Sequence, residues 1–116
     1  MDIFKNLTSL ENRTAECNRI ITKHPGRVPV VVCKGCNDIS LPDIDKHKFL
    51  VPKDMTIGQF VYIIRKRIKL DPNHALFVLI NNTLQPTNKS LDDIYLDNKD
   101  EDGYLYIIYS SENTFG

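Results

Sequence analysis

The sequence predicts an α+β domain, with helices leading into a sheet built around one long helix. Three observations carry this expectation. Two β-branched or apolar runs, residues 28–33 and 47–51, follow a Pro25-Gly26 break. One long stretch of helical apolar periodicity comes next, through residues 57–68. Two more strand-like runs, residues 75–80 and 104–109, complete the pattern.

Taken in order, Ile3, Phe4 and Leu7 suit a short first helix. Thr8-x-x-Glu11 reads as a capping box, in which side chains satisfy the free N–H groups of a helix start. Leu10, Thr14, Cys17 and Ile21 then recur at helical spacing, and Pro25-Gly26 stops the second helix. Residues 28–33 form a buried strand with Pro29 near its beginning. Residues 34–46, rich in Asp, Asn, Gly and Pro, form a loop. In the 47–51 strand, alternation sends Phe49 and Val51 to one face and Lys48 and Leu50 to the other, and Pro52 ends it. A lysine in a short strand followed by proline suits a sheet edge.

Thr56-x-x-Gln59 is a second capping box, and Ile57, Phe60, Val61, Ile64 and Ile68 lie on one helical stripe ahead of Pro72. Residues 75–80 form a strand and Asn81-Asn82 a turn. Ser90 caps a short helix carrying Leu91, Ile94 and Tyr95, with Asp92 and Asp93 favoured by the positive end of its dipole. Residues 97–103 form a loop and 104–109 the last strand. From the second helix onward this order matches the ubiquitin-like β-grasp, a four-stranded mixed sheet around a central helix. Two helices precede it here. The expected division is a helical extension at 1–24, the β-grasp at 25–110 and a flexible tail at 111–116, one structural domain in all.

A chain of 116 residues with 41% hydrophobic and 26% charged content has the size and balance of one globular domain. No apolar run approaches the ~20 residues needed to cross a bilayer, and the N-terminus does not read as a signal peptide. Three cysteines, an odd number, fit a reducing cytosol. The net charge is zero but uneven. Residues 1–70 carry 13 Lys and Arg against 7 Asp and Glu, and residues 71–116 carry 2 against 8. Such a dipole can steer an acidic partner to the basic part. No aromatic-studded basic stripe accompanies it, so nucleic acid is not an expected partner.

His24, His47 and His74 are scattered, and no nucleophile–base pair, phosphate loop or paired carboxylates stand out. No catalytic residue, metal site or cofactor is expected, and the chain is read as a non-enzyme. Cys33-x-x-Cys36 could be a redox pair or half a zinc site. Zinc wants four ligands, and only Cys17 and His24 could join, at unhelpful spacing. The redox motif opens a helix, whereas this one ends a strand, so two reduced thiols are the expectation. Gly116 follows a short polar segment, and a glycine there has no side chain to obstruct a narrow active site.

Several runs coincide with one family. They are Arg27-Val28-Pro29-Val30-Val31-Val32, Asp45-Lys46-His47-Lys48-Phe49-Leu50-Val51-Pro52, Ile57-Gly58-Gln59-Phe60 leading to Ile64-Arg65-Lys66-Arg67-Ile68, Ala75-Leu76-Phe77-Val78, and Glu101-Asp102-Gly103-Tyr104-Leu105-Tyr106. With these motifs in order, the chain from about Leu10 to Gly116 resembles the autophagy ubiquitin-like modifiers of the GABARAP and microtubule-associated light-chain type.

The resemblance implies a monomer adenylated at its terminal glycine, here Gly116, and passed as a thioester through activating and conjugating enzymes to phosphatidylethanolamine. It implies a cytoplasmic protein that sits on autophagosomal membranes once lipidated and docks cargo receptors bearing an aromatic-x-x-aliphatic motif. Most members carry residues beyond the glycine that a cysteine protease removes. This sequence stops at Gly116, which suits either a chain made ready for conjugation or one already shortened.

By the same resemblance, Glu16, Ile20, Pro29, Val31, Lys48, Leu50 and Tyr104 line a pocket for the aromatic. Phe49, Val51, Pro52, Met55, Phe60, Ile63, Ile64 and Arg67 line one for the aliphatic, and Arg27 and Lys46 meet acidic flanks. Phe60, Ile64 and Val31 read equally well as core. The family pattern has an aromatic near the start of the second helix where this chain has Leu10, so no tubulin or direct lipid binding is read from it. The cysteine pair is not part of the family pattern. The alternative reading is an unconjugated ubiquitin-like adaptor in vesicle trafficking, which would use the same groove and have no need of Gly116.

Overall fold

The computed structural model describes residues 3–35, 38 and 40–111, with the side chain of Ile3 left aside. Gly116 and Cys36 therefore lie outside the described residues. Helices α1 (Ile3–Leu7) and α2 (Leu10–Lys23) come first. Strands β1 (Arg27–Lys34) and β2 (Lys48–Pro52) lead to helix α3 (Ile57–Arg67). Strands β3 (Phe77–Ile80) and β4 (Thr83–Leu84), helix α4 (Leu91–Asn98) and strand β5 (Leu105–Ser110) complete the fold. The sheet order is β2-β1-β5-β3-β4. β1 runs antiparallel to β2 and parallel to β5, and β3 runs antiparallel to β5. The mixed sheet around one long helix is the expected ubiquitin-like fold, with both N-terminal helices present.

Beyond shifts of one or two residues at element ends, two details differ from the sequence expectation. A fifth strand, Thr83–Leu84, extends the sheet beyond the expected four. Asn81 and Asn82 both have positive φ, 51° and 61°, as a two-residue type I′ hairpin requires, and Ile80 pairs with Thr83 across them. The second difference is at α2. Its cap is Ser9, whose hydroxyl accepts the N–H of Asn12. Thr8 instead offers its carbonyl to the Arg13 guanidinium at 2.5 Å. The Thr56–Gln59 box forms in full, and Ser90 caps α4 through the N–H of Asp93.

Alternation along β1 serves both faces of the sheet. Val28, Val30 and Val32 enter the main core with Phe60 and Ile64 of α3 and Leu105 and Ile107 of β5. Val31 turns to the other face, where it joins Cys17 of α2 and Tyr104 in a second buried cluster flanked by Phe4, Ile20 and Tyr106. A buried ion pair bolts that layer down. Arg13 Nε donates to Asp102 Oδ2 at 2.9 Å, and Asp102 also accepts the Tyr104 N–H and the Tyr106 hydroxyl. Gly103 sits between these groups with φ +95°, and a Cβ there would lie 2.8 Å from Cys17 Sγ. Both its conformation and its neighbour exclude a side chain.

Candidate functional site

β2 is a sheet edge, hydrogen-bonded to β1 on one side and, among the described strands, to none on the other. Its register with β1 assigns each side chain to a face. Lys48 lies opposite Val31 and Leu50 opposite Pro29, on the α2 side. Phe49 lies opposite Val30 and Val51 opposite Val28, on the α3 side. One edge thus presents two different walls.

On the α2 side, Val31 and Tyr104 are buried and form the floor, with Ile20 packed against them. Pro29 is buried and Leu50 half-buried beside them. Lys48 Nζ bonds Glu16 Oε1 at 2.8 Å, and the Tyr104 hydroxyl donates to the same carboxylate. Burial alone would raise the Glu16 carboxyl. The hydrogen bonds from Lys48 and Tyr104 outweigh that and hold it below the ordinary glutamate range. Burial first, and then the Glu16 carboxylate, push the Tyr104 phenol far above its ordinary value, so it stays a donor. Phe4 belongs here too, and sequence reasoning missed it. Its ring stacks edge-on against Tyr104 at 5.5 Å, and Lys48 Nζ lies 4.0 Å from its centroid. Nothing in the short run around Phe4 fixes how the first helix folds back, so only tertiary packing reveals the contact.

On the α3 side, Phe49 meets Phe60 edge-on at 5.5 Å. Lys46 Nζ and the Arg67 guanidinium both approach the Phe49 ring, at 5.1 and 5.4 Å. Arg67 Nη1 also holds both Asp45 oxygens, at 3.1 and 3.2 Å, and this hydrogen bond lowers the Asp45 carboxyl. Val51, Phe60 and Ile64 are buried and belong to the core, so they shape the wall from behind. Phe49, Pro52, Met55 and Ile63 keep exposed area. The last three line an open depression of about 940 Å³ that continues past Gly58 to Tyr62 and Thr87. Tyr62, 59% exposed, is the second residue sequence reasoning left out. It faces away from the apolar stripe of α3, which was the signal being read. Arg27 Nη1 donates to the Leu50 carbonyl at 3.2 Å, which places its charge against β2.

Among the described residues no cluster of three or more His, Cys, Asp or Glu could hold a metal ion, and no helix is long and apolar enough to cross a membrane. Cys33 is half-buried at the end of β1. The geometry is that of an exposed strand edge with an open depression on the α3 side, a packed apolar wall on the α2 side and a cationic rim. It is suited to accepting an extended peptide as an added strand.

A protein-family model described as "Autophagy protein Atg8 ubiquitin like" matches residues 12–116. Autophagy-related protein 8b of Arabidopsis thaliana is 58% identical over 114 residues, covering 97% of this chain and 92% of that protein. Autophagy-related protein 8B of Oryza sativa subsp. indica is 56% identical over 113 residues, covering 97% and 94%. The crystal structure of Trypanosoma brucei ATG8 superposes with a TM-score of 0.89 at 41% identity, covering 100% of this chain and 99% of that one. With the family model and these relatives spanning nearly the whole chain, the protein belongs to the Atg8 family of ubiquitin-like autophagy proteins.

Proposed function

We propose that this chain is an autophagy modifier of the GABARAP and light-chain type, joined through Gly116 to phosphatidylethanolamine, and that it docks cargo receptors along β2. The observation that carries the docking half is the open edge of β2 with a different apolar wall on each face. An extended motif pairing with the edge would point alternate side chains to opposite faces, and an aromatic and an aliphatic three positions apart straddle it. Burial of each anchor is worth ~25 cal/mol per Å² of apolar area.

The chain serves as acyl donor. The Gly116 carboxylate attacks the α-phosphate of ATP and releases pyrophosphate. An enzyme cysteine thiolate displaces AMP to form the thioester. The amine of phosphatidylethanolamine then displaces the thiolate, loses a proton and leaves an amide. Two acyl chains then hold the protein at a membrane stably, where one would not. The partners are the activating and conjugating enzymes, a cysteine protease that trims or delipidates, and receptors with an aromatic-x-x-aliphatic motif. The protein works as a monomer in the cytoplasm and on autophagosomal membranes.

The test is a reconstituted reaction with both enzymes, ATP and phosphatidylethanolamine vesicles, read by intact mass. The expected outcome is a gain of one phosphatidylethanolamine in the wild type and none in Gly116→Ala. No adduct, with the enzymes active on another substrate, would leave the unconjugated trafficking adaptor as the better account.

A further inference from the structure

We propose that Asp38 is a positioning residue for conjugation, fixing where the C-terminal tail leaves the domain. The inference rests on the reading of Gly116 as acyl donor. Asp38 lies in the loop between β1 and β2, far in sequence from the last strand. One carboxylate oxygen organises its own loop. Oδ1 accepts the Ser40 N–H at 3.0 Å, the Ser40 hydroxyl at 2.9 Å and the Leu41 N–H at 3.3 Å. The other reaches across to the end of β5. Oδ2 accepts the Ser111 N–H at 2.6 Å and the Ser110 hydroxyl at 3.4 Å.

The same loop holds that strand end twice more. The Gly35 N–H donates to the Tyr109 carbonyl at 2.8 Å, and the Tyr109 hydroxyl donates to the Pro42 carbonyl at 2.8 Å. Burial disfavours the Asp38 carboxylate, but the hydrogen bonds from Ser111 and Ser40 outweigh it and keep the group ionised at any pH a cell reaches. The clasp is therefore not a pH switch.

Asp38 is the outermost of these anchors and binds the backbone five residues before Gly116. Five extended residues reach at most about 17 Å. With Asp38 gone, the holds that remain at this strand end include the Phe77–Ser110 pairing, the Gly35–Tyr109 bond and the Tyr109 hydroxyl on Pro42, and none of these three grips Ser111. At least one further residue must then be ordered each time the tail enters an enzyme. That ordering lowers kcat/KM with the activating enzyme by roughly fivefold to thirtyfold. It falls on KM, because it is completed on docking.

The experiment measures ATP-dependent thioester formation on the activating enzyme with the full-length wild type, Asp38→Ala and Asp38→Asn, alongside thermal unfolding and amide exchange at Ser111. The expected result is a raised KM with little change in kcat for Asp38→Ala, and faster exchange at Ser111. Asp38→Asn, which keeps one acceptor oxygen, falls between. A residue with a merely structural role would lower the unfolding midpoint and leave KM unchanged well below it. That outcome, with wild type active, overturns this inference alone. An inactive wild type, with the enzyme active on another modifier, overturns the acyl-donor reading and this inference with it.

Discussion

Arg13 and Asp102 meet with side chains only 8% and 0% exposed, so neither charge can turn to water if its partner is lost. Arg13→Ala leaves the Asp102 carboxylate buried with only neutral donors, Tyr106 and the Tyr104 N–H. We expect a loss of about 3–5 kcal/mol in urea unfolding, large enough to threaten the fold. Glu16 and Asp100 are gentler cases. Each is held below its ordinary value against the opposing effect of burial, Glu16 by Lys48 and Tyr104 and Asp100 by Lys5. A carboxylate with a depressed folded pKa stabilises above its unfolded value and loses that contribution as pH falls through the folded one. The unfolding midpoint should therefore hold steady above about pH 5 and drop below about pH 4. Glu16→Gln should flatten part of that drop. Burial pushes the Cys17 thiol up to about 11. At pH 8 an alkylating reagent mapped by mass spectrometry should spare Cys17 until the protein is unfolded, and rapid native labelling there would contradict the packing described.

At the level of the element, the end of α3 is closed by a residue poorly suited to the job. Lys69 has φ 54°, the Leu70 N–H returns to the Arg65 carbonyl and the Lys69 N–H to the Lys66 carbonyl. That is a Schellman closure with lysine where glycine is usual. Lys69→Gly should raise stability by about 0.5–1 kcal/mol in the same unfolding assay, through relief of the left-handed strain. The sequence signalled this stop only through Pro72, three residues late. The long helix itself was legible because Ile57, Phe60 and Ile64 repeat at 3.6 residues and are buried on one side. β1 was legible from its valines, and β2 from Lys48 and Pro52, which suit an edge. β4 was not legible, since two exposed residues carry no period. Ser9 was overlooked as a cap because the adjacent Thr8 and Glu11 fit the fuller motif. Only the family resemblance, and nothing in the residue spacing, assigns side chains to the walls of a groove. Spacing alone could not separate Phe60 and Ile64, which are core, from Phe49 and Met55, which keep a surface. Phe4 and Tyr62 needed the third dimension.

Across the whole molecule, the surplus of basic residues before position 71 includes Arg27, Lys46, Lys48 and Arg67, all gathered around β2 and its neighbouring helix end. A peptide with acidic flanks should bind more weakly as salt rises. The Debye length shortens from ~10 Å at 0.1 M to ~3 Å at 1 M. Titration calorimetry at several salt concentrations checks this, and a flat dependence would mean that the apolar walls act alone. The sheet order has a different consequence, in time. β5 lies between β1 and β3, so the last strand to be synthesised is the one that joins the two halves. A ribosome that has not yet released residues 105–110 has made the β1–β2 and β3–β4 pairs and helices α1 to α4, with no continuous sheet for α3 to cover. The strand that completes the sheet is also the one from which the Gly116 tail departs. A chain interrupted during synthesis would therefore lack both a complete sheet and the segment that the proposed conjugation uses.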